Sequence, residues 1–329
     1  MPITSLDDIS FVLNNMYYYI YGFSKAIEIS SSNITIPLIA GLTGAILTHL
    51  FATHRDKTRD RRDQKAKEFE ELQRDFSYCT IRAAEANEAL LYIIDYFQTH
   101  GKSFLRFNEG RKNFHAKKSQ VKIFLETAIP YKHPRPIREI DRTSRFLSIK
   151  ELTIISAYQF ETTKLEEIIS ARNKEVERLR EREASQELAK FIYGETAFSD
   201  ETDISLLTSE AMKVASTLTG LASAVYTIYI QQAICLKSHG VAKHGKNIGN
   251  YIYNYPAATL PNAFLGVSPT DTLIRLHKWE PRTLETQLKF FGEGITPSPE
   301  DQKKFNLSIE QHKVTISKLM AWHLGSIAK

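Results

Sequence analysis

Hydrophobic and polar positions divide the chain into long helical stretches separated by short loops. The longest uncharged stretch lies between Glu28 and Arg55, where 26 consecutive residues carry no charge. Residues 34–53 are apolar enough by hydropathy for a membrane span, and twenty residues at 1.5 Å each cover about 30 Å, the thickness of the hydrocarbon core. The pattern predicts a transmembrane helix over 34–54, and a buried core helix is the alternative interpretation.

The flanking charges predict the direction of this helix. A dense run of bases follows the apolar stretch, beginning with Arg55, Lys57, Arg59, Arg61 and Arg62. Residues 1–33 carry only Lys25 as a base and are rich in aromatic residues. Because basic residues are retained in the cytoplasm, we expect residues 1–33 to form a short extracytoplasmic, interfacial segment. The predicted location is the cell (inner) membrane, with a single pass and the bulk of the chain in the cytoplasm.

Small residues within the predicted span suggest that it pairs with another helix. They recur four apart at Ala40, Gly41, Gly44 and Ala45, and such spacing lets helix backbones approach closely in lipid. We therefore expect a homo-oligomer or a second membrane-proximal protein as partner, in addition to the lipid bilayer. Glycines in the span and a basic continuation resemble the anchors of bacterial single-pass proteins. This resemblance covers about 35 residues and implies no activity.

The residues after the anchor predict a cytoplasmic helical bundle. No Gly or Pro occurs between Gly44 and Gly101, so we expect a long juxtamembrane helix over 55–101 with Gly101 as its C-cap. Ser148 and Glu151 have the spacing of a capping box, which predicts a helix from there to about Ile192. Its middle has apolar residues at nearly heptad spacing and is therefore partly coiled-coil-like, or else half of an antiparallel helix pair.

Further helices are predicted over 203–238, 269–278, 282–291 and 299–325, with a loop region over 240–268. Gly240 is the predicted end of the first of these helices, and Ser298 is the predicted N-cap of the last. Within the first of these, residues 214–236 are uncharged. A buried core helix fits that stretch better than a second span, because Ser, Thr, Tyr and Gln dilute its hydropathy. No series of alternating apolar strands occurs. The predicted fold class is all-α, with one N-terminal transmembrane helix (N-out, C-in) followed by a multi-helix bundle over 151–329.

Charge distinguishes residues 102–150 from the rest of the chain. The whole chain carries +5, but this Pro-interrupted segment holds 13 Lys+Arg against 4 Asp+Glu, a net charge of +9. Three interpretations stay open: a solvated helical face, a site for anionic lipid, and a site for nucleic acid or nucleotide. The residues of such an anionic-ligand patch would be Arg111, Lys112, Lys117, Lys118, Arg135 and Arg138.

Composition and motifs give little indication of catalysis. Hydrophobic residues at 42% exclude a disordered chain, and two cysteines exclude a disulfide scaffold or a Cys-rich metal module. The fragment from Gly240 to Asn247 mimics a phosphate-binding loop, but it lacks the Ser or Thr after Lys246 and a preceding strand. We expect no cofactor, no metal and no catalytic residue set.

These patterns favour a membrane-anchored helical interaction protein: a scaffold, sensor or effector that acts through protein–protein contacts of its cytoplasmic bundle. One alternative is an oligomeric membrane-perturbing effector in which 214–236 forms a second span. The other alternative is an enzyme or a nucleotide- or nucleic-acid-binding domain tethered to the membrane. Topology reporters fused along the chain distinguish the first two hypotheses.

Overall fold

The computed structural model describes residues 18, 32–117, 129–134, 144–184, 198–255, 259–292 and 294–324. Every regular element in these ranges is helical, which confirms the all-α prediction. The α-helices are α1 (Ser32–Lys117), α2 (Ile149–Ala184), α3 (Phe198–His244), α4 (Asp271–His277), α5 (Leu284–Leu288) and α6 (Pro299–Leu324). Two 3₁₀ turns, Ser144–Phe146 and Asn262–Phe264, complete the set.

The chain divides into two units, Met1–Lys67 and Glu68–Lys329. In the first unit, α1 carries the predicted anchor. Within the described part of the chain, no helix has an apolar stretch long enough to cross a bilayer. The transmembrane helix predicted over 34–54 is therefore not supported. The side chains described there include the polar Thr48, His49, Thr53 and His54 directly before Arg55, and they shorten the apolar stretch.

In the second unit, α3 forms the centre of the bundle. All residues from 214 to 236 are buried, and α3 packs chiefly against α2 and α6. The prediction of a core helix is confirmed and the alternative of a second span over 214–236 is wrong, because neighbouring helices cover this segment on all sides. Its hydroxyls bond carbonyls one turn back, as Thr219 does to Ala215 (2.8 Å) and Thr227 to Ser223 (2.9 Å). Such bonds let small polar residues be buried with satisfied donors.

Side-chain caps fix several helix starts where the sequence predicts them. Before α2, the Ser148 amide and hydroxyl donate to the Glu151 carboxylate (2.7 and 2.8 Å). Before α6, Ser298 accepts from the Asp301 amide (3.1 Å). The predicted start of α4 is wrong by two residues: its cap is Thr270, whose hydroxyl accepts from the Leu273 amide and also bonds Thr217.

The predictions of helix ends from glycine residues were less accurate than the predictions of helix starts. Neither Gly101 nor Gly240 stops its helix; α1 continues to Lys117 and α3 to His244, with Gly245 (φ +62°) after it. Gly101 instead permits close packing, since a Cβ built there would lie 2.8 Å from Ala263 Cβ. Residues 185–192 of the predicted second helix lie outside the described residues.

Replacing Gly101 by Ala tests this packing role. We expect Gly101→Ala to lower the free energy of unfolding by about 1–3 kcal/mol, because both clashing methyl groups are attached directly to backbone. The same change at Gly44, in the same helix, is the control: no described atom lies within 4 Å of a Cβ built there. Gly44→Ala should be neutral or stabilising by up to about 1 kcal/mol. Urea unfolding of both variants checks this, and equal effects would contradict the packing role.

After α3 the chain returns along the bundle as an extended segment, and its tyrosines bond α6. Tyr251 donates to Asp301 (2.6 Å), Tyr253 donates to Gln311 (2.7 Å), and the Tyr255 hydroxyl bonds Thr315 (3.3 Å). Residues 251–255 thereby follow α6 in register, with Tyr251, Tyr253 and Tyr255 partly buried and the two residues between them exposed. This arrangement also fixes Ile248 next to α1.

Candidate interaction surface

An open groove runs along one face of α1 in the second unit. It has a volume of about 590 Å³. Residues at helical spacing form one wall, and Ile248 contributes from the segment after α3. The lining residues, which we call the α1 groove, are Glu70, Gln73, Arg74, Ser77, Tyr78, Ile81 and Ile248.

The sequence of α1 places these side chains on a face opposite the core. Leu72, Phe76, Cys79 and Ala83 are buried, so the intervening positions at three- and four-residue spacing face outward. Ile81 is 56% exposed although it is apolar. The groove is therefore an outward face of α1 with an apolar residue at its end.

Ile248 reaches this face because two glycines, one in the turn after α3 and one within α3, allow it. Gly245 adopts φ +62°, which favours glycine, and reverses the chain after α3. A Cβ on Gly240 would lie 2.5 Å from Ile248 Cγ2, so the lack of a side chain there makes room for Ile248. The sequence contains no pattern that indicates this contact in advance.

Tyr78 is held firmly within the groove. Its ring packs edge-on against Tyr229 (centroids 6.2 Å apart), and the Arg82 guanidinium lies 5.0 Å from its centroid. Arg82 is itself fixed by a hydrogen bond to Glu85 (2.8 Å). Burial lowers the pKa of Arg82, but the bonds to Glu85 and Tyr78 outweigh burial and raise it, so this cation stays charged.

The edge of the groove is charged and solvated. Glu70 and Arg74 form an i, i+4 ion pair at 3.8 Å, and both side chains are more than half exposed. Such a pair adds little stability, so both groups are available to a partner. The groove combines an anchored aromatic ring, an apolar residue and a solvated ion pair.

A smaller cavity of about 200 Å³ lies between α1, the 144–146 turn, the end of α3 and the residues after α5. Phe146 and Phe291 stack in it with centroids 4.6 Å apart. Its cations are already paired, Lys243 with Glu68 (3.0 Å) and Arg145 with Asp75. This cavity is therefore a packing feature of four converging segments and a poorer candidate for a charged ligand.

One buried cluster has the composition of a nucleophile–base pair. Ser223 Oγ lies 3.0 Å from His312 Nδ1, within reach for proton transfer. However, both residues are at most 1% exposed, and neither of the two cavities described above includes them. Ser223 also bonds the Tyr255 hydroxyl. The cluster joins α3, α6 and the extended segment.

In the described ranges, the geometry supports neither a metal site nor a reactive thiol. No group of three His, Cys, Asp or Glu residues there is placed to hold a metal ion. Cys79 and Cys235 are buried, and their thiols donate to Gln232 and Gln287. Burial raises the pKa of Cys235 to about 12, which disfavours the reactive thiolate.

The structure places some of the sequence-predicted site residues and leaves others undescribed. Gly41, Gly44 and Ala45 of the predicted pairing face are exposed on α1, while the side chain of Ala40 lies outside the described residues. The predicted flanking bases are also exposed on α1: Arg55, Lys57, Arg59, Arg61 and Arg62.

The predicted anionic-ligand patch stays a prediction. Arg111, Lys112 and Lys117 lie on α1, but their side chains are outside the described residues. Lys118, Arg135 and Arg138 are wholly outside them. The nucleic-acid alternative, which depends on residues 102–150, is therefore neither supported nor contradicted. The fragment 240–247 is the end of α3 and its turn, so it does not form a phosphate-binding loop.

No protein-family model, no curated protein and no solved structure matches the chain.

Proposed function

We propose that this protein is a helical interaction protein, a scaffold, sensor or effector that works through protein–protein contacts of its bundle. The observation that carries the proposal is the α1 groove, an outward helix face that combines Arg74, Tyr78 and exposed Ile81. A location at the membrane is part of the proposal. It depends on the apolar sequence 34–54 and its basic flank, since no described helix is long and apolar enough to span.

The chemistry of the groove suits a protein partner. Tyr and Arg are the residues most enriched among side chains that dominate binding energy at protein interfaces. Tyr78 is already held by Tyr229 and Arg82, so a partner that packs on it loses little side-chain entropy. An aromatic side chain that is already ordered therefore binds a partner at a lower entropic cost than a flexible side chain does.

The dimensions of the groove favour a helical partner. Residues 70–81 cover three turns, or about 16 Å along the axis of α1. An amphipathic helix presents apolar residues at three- and four-residue spacing, and it docks in such a groove through two or three of them. We propose a second copy of this chain as the first partner to test.

A charge placed in the groove should weaken the association. We expect Ile81→Lys in the full chain to weaken self-association, or capture of a partner, at least about tenfold, because it buries a lysine at the contact. Val314→Lys is the matched control, since Val314 is also β-branched, helical and about half exposed (51% against 56% for Ile81). Sedimentation velocity over a concentration series measures self-association, and affinity capture measures a different partner.

Two outcomes contradict the proposal. The first is a chain that is monomeric at all concentrations and also captures no reproducible partner. The second is an equal loss of association in both lysine variants, because a general surface effect would then replace the groove.

A further inference from the structure

The part of α1 from Leu47 to Lys65 has two faces of different character. At 3.6 residues per turn, positions 47, 50, 54, 57, 61 and 65 fall within about 80° of arc. They form what we call the apolar–basic stripe: Leu47, Leu50, His54, Lys57, Arg61 and Lys65. The stripe contains no acidic residue.

The acidic residues of this region lie off the stripe. Asp56, Asp60 and Asp63 fall within about 60° of arc, centred about 130° from the middle of the stripe. Asp63 is 4.0 Å from Arg59, which also lies off the stripe. Of the seven cations of 55–67, three lie on the stripe (Lys57, Arg61 and Lys65), whereas none of the three anions does.

The N-terminal end of the stripe is flanked by exposed apolar side chains. Ile46 is 42% exposed and Phe51 is 65% exposed. Apolar groups followed by Lys and Arg on one face are typical of helices that lie in the interface of a bilayer. A nucleic acid would neutralise the cations but would leave Leu50 and Phe51 in water. The combination therefore favours lipid.

We propose that the apolar–basic stripe binds the surface of an anionic lipid bilayer, with α1 lying along that surface. Leu47 and Leu50 enter the boundary of the acyl chains, and Lys57, Arg61 and Lys65 contact headgroup phosphates. The nineteen residues from Leu47 to Lys65 give a contact about 27 Å long. This inference rests on the membrane location proposed above and specifies the lipid class and the residues that recognise it.

Vesicle flotation of the full chain tests the stripe. The test variant is Lys57→Glu/Arg61→Glu/Lys65→Glu, and the matched control is Arg55→Glu/Arg59→Glu/Lys67→Glu, which changes the net charge equally at bases off the stripe. On phosphatidylcholine vesicles containing phosphatidylglycerol, the test variant should bind at least about a hundredfold more weakly than the parent, because each cation near an anionic surface contributes about fivefold or more. The control should lose less than about tenfold, and high salt should release the parent.

A second variant separates the apolar part of the stripe from the charges. Leu50→Ser should reduce binding about tenfold while leaving its dependence on salt unchanged, since it removes apolar contact only. Far-UV circular dichroism of each variant checks that the helix content is that of the parent.

Four results would each overturn the inference. They are an equal loss in both triple variants, equal binding to vesicles without phosphatidylglycerol, retention on vesicles after a high-salt wash, and binding to an oligonucleotide in place of vesicles. The groove is tested separately by Ile81→Lys, which alters partner binding and leaves flotation unchanged. Failure of the stripe and failure of the α1 groove are thus distinguishable.

Discussion

Arg282→Met should destabilise the bundle by about 3–5 kcal/mol, because it leaves a buried carboxylate without its counter-ion. Arg282 donates from Nε and Nη2 to the two oxygens of Glu151 (3.1 and 2.6 Å), and Nη2 also donates to the Phe146 carbonyl (2.7 Å). The Glu151 side chain is only 2% exposed. The pair joins the start of α2 to the residue two before α5, 131 positions away in sequence.

Urea unfolding followed by circular dichroism measures this loss. The matched control is Lys289→Met, which breaks the exposed i, i+4 pair with Glu285 and should change stability by no more than about 0.5 kcal/mol. A double variant, Glu151→Gln/Arg282→Met, should recover part of the loss, since it removes the unpaired charge. A cost below about 1 kcal/mol for Arg282→Met would show that the pair is dispensable.

Lowering the pH from 7 to 5 should cost the bundle about 4 kcal/mol through two buried histidines. Burial lowers the pKa of His133 to about 4 and that of His312 to about 3, with Lys313 adding to the latter. Both imidazoles have a pKa near 6.5 in the unfolded chain. Between pH 6.5 and 4 these two histidines therefore bind up to two more protons in the unfolded chain than in the folded one. Stability is complete above pH 6.5 and falls by up to about 3 kcal/mol per pH unit below it.

The contacts of the two histidines show what surrounds each buried ring. The His133 ring bonds the hydroxyls of Tyr131 (3.1 Å) and Tyr158 (2.7 Å), and its backbone amide donates to Glu166 (2.7 Å). His312 bonds Ser223 and meets the Trp279 ring edge-on. Burial raises the pKa of Asp301, but the hydrogen bonds from Tyr251, Ser298 and Lys237 outweigh burial and lower it. Asp301 therefore contributes to the pH dependence of stability only below about pH 4.

Unfolding curves at several pH values check the prediction. His133→Gln/His312→Gln should flatten the dependence between pH 6.5 and 4, even if it lowers stability at pH 7. His54→Gln, a change at an exposed position, should leave the pH dependence of the parent intact. A parent curve that is flat between pH 7 and 5 would contradict the assignment.

Local patterns in the sequence predicted the parts of the fold that depend on neighbouring residues. The capping residues Ser148 and Ser298 have their partners three positions away, so the sequence alone locates them. The burial of 214–236 could also be predicted from the sequence, because a long helix without charged residues has to be covered by other elements of the fold. Gly101 and Gly240 were misjudged as helix ends, since their role depends on Ala263 and Ile248, which no local pattern connects to them.

The candidate site was harder to predict than the fold. Tyr78 and Ile81 lie in an ordinary amphipathic pattern, and only the return of Ile248 beside α1 makes a groove there. The basic flank was recognised by its charge alone. Recognising the acid-free stripe within it required the helical phase of α1, which the structure shows to be unbroken through 44–67.

The pairing of Cys79 with Gln232 has a consequence for the order in which the protein forms. The two residues are 153 positions apart, so the inner face of α1 is synthesised long before the α3 residues that cover it. At 5–20 residues per second, the ribosome needs roughly 10–30 s to complete that interval. During this time Tyr78 and Cys79 lack their α3 partners Tyr229 and Gln232. The nascent chain should therefore engage chaperones early, and slower translation should increase its aggregation in the cell.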